Sequence, residues 1–116
     1  KWSSAETTMN GAMNGALLEN YVVSEIQKSY QNVGKEAYLY YYRDKDAKEI
    51  DLLMEGDGQL YPIEIKKTAT PKKKMITNFS VIEKSSLKRG TGAIICTAEK
   101  LGAFDRDNLI VPVSLV

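Results

Sequence analysis

Apolar residues at Leu18, Val22, Ile26 and Tyr30 recur at helical spacing, which predicts a helix from residue 15 to about residue 31, with Asn14 available as N-cap and Gly34 just past the end. Residues 1–14, rich in Ser, Thr, Ala, Asn and Gly without periodicity, read as an N-terminal linker or tail, so the folded domain is 15–116. The tyrosine run 38–43 has the aromatic enrichment of a strand. Residues 48–55 and 59–66 predict two more strands joined at Asp57-Gly58, a dipeptide that favours a two-residue type I′ hairpin turn. Pro71 opens a second predicted helix to about residue 88, with Met75, Phe79, Val81 and Ile82 as its apolar side and Gly90 beyond its end. Residues 91–97 and 109–116 close the chain as strands. The order α-β-β-β-α-β-β, without internal repeats, is that of an α/β domain.

With Asp57 and Gly58 as the loop, Gly56 faces Gln59, and counting outward sets Asp51 opposite Glu64 and Glu49 opposite Lys66. Alternation then projects all four from one face. The other face receives Ile50, Leu52, Met54, Tyr61, Ile63 and Ile65, an apolar set that must be core. Opposed carboxylates with Cβ atoms about 5 Å apart repel unless a cation lies between them or one takes a proton. Oxygen ligands from Asp51 and Glu64, with the backbone carbonyl of Ile65, make a hard site suited to Mg²⁺ or Mn²⁺, which keeps waters in its other positions. Lys66 on the same face would orient a bound water or stabilise charge growing on a phosphate; the plain alternative is a solvated surface on which it neutralises Glu49 and Glu64. Glu19 heads the apolar stripe of the first helix, where an acid needs a partner; the plain alternative is a first-turn glutamate that favours the helix dipole and leans out to water.

The length of 116 residues fits one domain, and 43% hydrophobic content with a net charge of +1 is globular and names no partner. The chain has no histidine, which removes Ser-His-Asp and Cys-His nucleophiles and every metal site that needs imidazole, and leaves carboxylates and lysines to do chemistry. The single cysteine, Cys96, lies in the apolar run Ala93-Ile94-Ile95-Cys96 and cannot form an internal disulfide, which fits a reducing cytoplasm. No apolar stretch approaches the roughly 20 residues of a membrane span. Lys66, Lys67, Lys72, Lys73 and Lys74 place five lysines within nine residues and no acid among them, so Lys67, Lys72, Lys73 and Lys74 are candidate phosphate contacts to a nucleic acid as well as an ordinary solvated helix start. Tyr38, Tyr40, Tyr41 and Tyr42 offer stacking surfaces to bases, but aromatic residues in strands usually pack.

At Glu19, Asp51 and Glu64-Ile65-Lys66 the chain resembles the restriction-endonuclease-like PD-(D/E)XK superfamily, whose αβββαβ core carries these groups on the first helix and the second and third strands. Within it, Gly15-Ala16-Leu17-Leu18-Glu19-Asn20-Tyr21, Glu49-Ile50-Asp51-Leu52-Leu53, Pro62-Ile63-Glu64-Ile65-Lys66 and the ending Val111-Pro112-Val113-Ser114-Leu115 most resemble the C-terminal domain of unknown function of bacterial and archaeal AAA+-type ATPases. Ile50 stands where the superfamily pattern has proline. The resemblance implies a central mixed sheet flanked by helices with one additional C-terminal strand. It also implies Asp51 and Glu64 as metal ligands, Lys66 as catalytic lysine and Glu19 as accessory acid. Its natural partners are nucleic acid, DNA foremost, and an N-terminal ATPase region of the same longer chain. Lys1 at the start fits a piece of such a chain, and without a GxxxxGK(S/T) motif no ATP site is expected here. The function expected is a nuclease-like domain of a P-loop ATPase, binding Mg²⁺ or Mn²⁺ and nucleic acid, with phosphodiester hydrolysis as its reaction. The alternative is a non-catalytic interaction or DNA-binding module that regulates or targets the ATPase, for which the last strand offers a sheet edge.

Overall fold

The computed structural model describes residues 15–32, 34 and 38–116; the expected tail, the Asn14 cap and the Tyr30 side chain lie outside what is described. The first helix, α1 (Gly15–Asn32), buries Leu18 and Val22, the head of the apolar stripe. Gly34 beyond it takes a positive φ of 74°, a conformation that favours glycine.

Seven strands form one mixed sheet: β1 (Tyr38–Arg43), β2 (Glu49–Gly56), β3 (Gln59–Lys66), β4 (Lys88–Arg89), β5 (Gly92–Cys96), β6 (Gly102–Asp105) and β7 (Asn108–Pro112). Their order is β1-β2-β3-β5-β7-β6, with β4 also beside β3. The pairs β1–β2, β2–β3 and β6–β7 are antiparallel, whereas β3, β5 and β7 run parallel. α1 covers one face of the sheet, where Leu18 and Val22 meet Leu52, Ile63, Ile65, Ile95 and Val113. A 3₁₀ segment, Lys73–Lys84, covers the other, where Ile76, Phe79, Val81 and Ile82 meet Ile50, Leu53, Ile94 and Cys96. Ile94 and Ile95 thus bury on opposite faces, as a central parallel strand with a continuous apolar run requires. The α/β architecture holds, and two short strands, β4 and β6, add to the expected element order.

Three details differ from expectation. The second helix is shorter and wound as 3₁₀ turns, with Ile76 (φ −110°, ψ 18°) leaving the helical region inside it. Its sequence explains this: Ile76, Thr77, Asn78, Ser80, Val81 and Ile82 are weak α-helix formers, and the Thr77 and Ser80 hydroxyls donate to the carbonyls of Lys74 and Thr77. The buried residues Ile76, Phe79 and Ile82 recur every three positions, the repeat of a 3₁₀ helix. The last strand ends at Pro112, whose ring removes a ladder donor, and a 3₁₀ turn (Val113–Leu115) then tucks Val113 beneath α1. Finally, β6 pairs outside β7, so the last strand is internal and the sheet edges are β1 and β6; the expected edge at the C-terminus is corrected. Among the described residues no helix is long and apolar enough to cross a membrane.

Candidate functional site

The turn end of the β2–β3 hairpin follows the expected register, with Gly56 opposite Gln59 and Leu52 opposite Ile63. Asp57 and Gly58 have φ of 55° and 75°, both positive as a type I′ turn demands. Beyond Leu52 and Ile63 the ladder stops. The Ile65 amide, which a continued ladder would aim at the carbonyl of Ile50, donates instead to Asp51 Oδ2 at 2.9 Å.

The cause lies in β2. Tyr42 is opposite Ile50 and Tyr40 is opposite Leu53, so β2 sets two residues, Asp51 and Leu52, against the single Tyr41 of β1. Such a bulge re-aims side chains and ends pairing. Ile50 and Leu53 therefore enter the cluster under the 3₁₀ segment, while Leu52 joins Ile63 and Ile65 under α1. This corrects the expectation that Ile50 shares a face with Leu52, Ile63 and Ile65. Glu64 and Lys66 alternate with Ile63 and Ile65 and so stand on the 3₁₀ side. Asp51, displaced by the bulge, lies where β2 and β3 part, accepts the Ile65 amide, and is near enough to Glu64 to raise its carboxyl.

The four expected residues share one electrostatic neighbourhood. Burial pushes the Glu64 carboxyl from 4.5 to about 8, helped by the charge of Asp51, the hydrogen bond to it and the charge of Glu19, while Lys66 pulls the other way. Glu19, half-buried on α1, is also raised, first by burial and then by Asp51 and Glu49. Glu49 does not face Lys66 as expected. Its carboxylate accepts from the Tyr41 hydroxyl and lies 3.9 Å from Arg43 Nε, both on β1. Its carbonyl accepts from Asn78 Nδ2 at 3.1 Å, which ties the 3₁₀ segment to the same end of the sheet.

Asn78 is therefore a site neighbour that sequence reasoning missed, whereas Glu49, expected on this face opposite Lys66, and Tyr41, expected as a stacking surface, meet each other instead. The adjacent apolar residues Leu52-Leu53, which break strict alternation, were the available signal of the bulge that brings β1 so close. Among the described residues no group of three or more acidic or thiol side chains is gathered tightly enough to hold a metal. Asp51 and Glu64 alone meet the demand of Mg²⁺, which commonly takes one or two carboxylates and keeps waters or substrate phosphate oxygens. The Ile65 carbonyl projects from the same strand edge as its amide, toward Asp51. The donor set fits a hard divalent cation.

The lysines separate. Lys66 and Lys67 are exposed at the end of β3, and Lys72 and Lys74 are exposed beside the start of the 3₁₀ segment. Lys73 leaves the group: its Nζ lies 2.8 Å from Asp105 Oδ2 and holds that carboxyl down at about 2. The tyrosines also depart from the packing expectation, because Tyr38, Tyr40 and Tyr41 on the edge strand are 56%, 47% and 61% exposed and only Tyr42 packs on the core.

Residues 14–116 match the family described as Domain of unknown function (DUF4143), and the chain belongs to that family. No curated protein and no solved structure matches it.

Proposed function

We propose that this DUF4143 domain is nuclease-like: it binds Mg²⁺ or Mn²⁺ and nucleic acid, and hydrolyses phosphodiester bonds with Asp51, Glu64, Lys66 and Glu19. The observation that carries the reading is the Ile65 amide turned onto Asp51 Oδ2 where the ladder opens, beside a Glu64 carboxyl that burial and the Asp51 charge raise to about 8. Two carboxyls so placed share a proton unless a cation replaces it. Asp51, Glu64 and the Ile65 carbonyl would hold that cation, which when bound supplies Lewis acidity and an acidified water. The Ile65 amide keeps Asp51 Oδ2 oriented, so the carboxylate is set before any ligand arrives. Lys66, exposed beside Glu64, orients the attacking water or stabilises charge on the phosphate. Glu19 closes the α1 side of the site. Lys67, Lys72 and Lys74 supply phosphate contacts, and Lys73 does so only by leaving Asp105. The PD-(D/E)XK resemblance and attachment to an AAA+-type ATPase in the cytoplasm complete this reading.

Cleavage of labelled single-stranded DNA, duplex DNA and RNA with Mg²⁺ and Mn²⁺ tests it. Wild type should cut, and Glu64→Ala and Lys66→Ala should not; equal cleavage by all three contradicts the assignment. A second reading, a non-catalytic interaction or DNA-binding module that regulates or targets the ATPase, is favoured by the three exposed tyrosines on edge strand β1. It predicts no cleavage with either metal.

A further inference from the structure

The opposite end of the sheet holds a second polar feature. Gln59, Arg89, Gly90, Thr91, Asp107 and Asn108 line a cleft of about 380 Å³, within the range of small-ligand sites. The register separates it from the carboxylates: Leu60 is opposite Arg89 and Gly92 opposite Asn108, whereas Lys66 is opposite Cys96 at the far ends of β3 and β5. Within the lining, a Cβ on Gly90 would lie 2.3 Å from Tyr61 Cε1, so glycine is required for the chain to pass so close to that ring.

We propose that this cleft binds a phosphate monoester, with Arg89 as the anion-binding group. Arg89 is half-buried, its guanidinium 5.6 Å from the Phe79 ring centroid, and its acceptors are all neutral: the Gly90 carbonyl at 2.9 Å, the Asp107 carbonyl at 3.4 Å and Asn108 Oδ1. Among the described residues no carboxylate lies within ion-pair distance of it. Those three acceptors engage at most three of its five N–H groups, which leaves donors for a ligand in a fork suited to phosphate.

A chain of contacts holds the fork in place. Asn108 is only 8% exposed; its amide nitrogen donates to Asp105 Oδ1 and Oδ2 at 3.0 and 3.3 Å, so its oxygen must turn to Arg89. Asp105 is held in turn by Lys73 at 2.8 Å. Lys73 is thus a positioning residue for Arg89. Thr91 and Gln59 at the rim add a hydroxyl and an amide for the remaining phosphate oxygens, and the exposed Asp107 carboxylate suits hydroxyl groups on the rest of the ligand. A nucleotide and a sugar phosphate share this chemistry.

Amide NMR titration of the 116-residue chain decides it. Ribose 5-phosphate and adenosine 5′-monophosphate should shift Gly90, Thr91 and the Asn108 side-chain amide saturably, and adenosine should not; the tighter of the two phosphates identifies the source. Arg89→Gln should weaken binding by about tenfold or more, and Arg89→Lys, which keeps the charge and loses the fork, by less. Lys73→Ala should weaken it too in a protein that stays folded, and Lys73→Arg should restore it. The proposal is overturned by equal shifts from adenosine, by equally tight binding of succinate, by shifts confined to the Asp51–Glu64 end, or by undiminished affinity in a folded Arg89→Lys. The cleft and the carboxylate site fail separately, because no metal enters this titration.

Discussion

The two ends of the β2–β3 hairpin obey different rules. From Asp57-Gly58 to the Leu52–Ile63 rung, backbone pairs with backbone and the turn residues take the positive φ their types favour. Past that rung a side chain takes over: Asp51 accepts the Ile65 amide, and Glu64 is left beside it in a partly buried setting that favours its neutral form. The closed end specifies the register, and the open end uses that register to bring acids together. A bulge of one residue separates the two regimes.

Substitutions should separate them in order of size. Leu52→Ala, at the last closed rung and packed beneath α1, removes buried contacts and should cost about 2–5 kcal/mol by urea unfolding. A cost near zero would mean that this rung does not anchor the hairpin. Asp51→Ala leaves the Ile65 amide without its acceptor and should cost about 1–3 kcal/mol, with faster hydrogen exchange at Ile65, whereas Asp51→Asn, which keeps an oxygen there, should cost less. At the turn, Gly58→Ala forces a side chain into a φ of 75° and should cost about 1 kcal/mol without altering exchange at Ile65.

The smallest effect concerns pH. Glu64 binds its proton more tightly folded, at about 8 against 4.5, so its contribution to metal-free stability is complete below 4.5 and is lost as pH rises through about 8. Glu64→Gln should flatten that slope in thermal melts across this window. Asp105 has the opposite sign: its lowered value of about 2 adds stability that is present above 3.8 and lost as pH falls through about 2. Stability rising between 4.5 and 8 in a way that depends on Glu64 would contradict the carboxyl pairing.

Much of this was legible in the chain because local chemistry decides it. Asp57-Gly58 fixes a two-residue turn, and counting from it places Asp51 near Glu64 without any tertiary information. Glu19 was legible from helical period alone, since a residue beside Leu18 and one turn before Val22 stays near the sheet. Simple alternation failed at Ile50 because a bulge changes the count on one strand, and its trace, Leu52-Leu53, also reads as ordinary core. β6 was missed because four residues with Phe104 alone packed on the core carry no periodic signal. The Lys73–Asp105 pair joins residues whose meeting depends on how the 3₁₀ segment crosses the sheet, which residue spacing does not encode.

The most direct measurement is Mn²⁺ calorimetry on wild type, Asp51→Asn and Glu64→Gln below and above the Glu64 transition. Wild type should bind one ion with proton release at the lower pH and more tightly at the higher, because the cation displaces the proton that Glu64 holds up to about 8, and both variants should lose the signal. Equal binding by all three proteins, or wild-type affinity unchanged across that transition, would contradict a cation site at the open end of the hairpin.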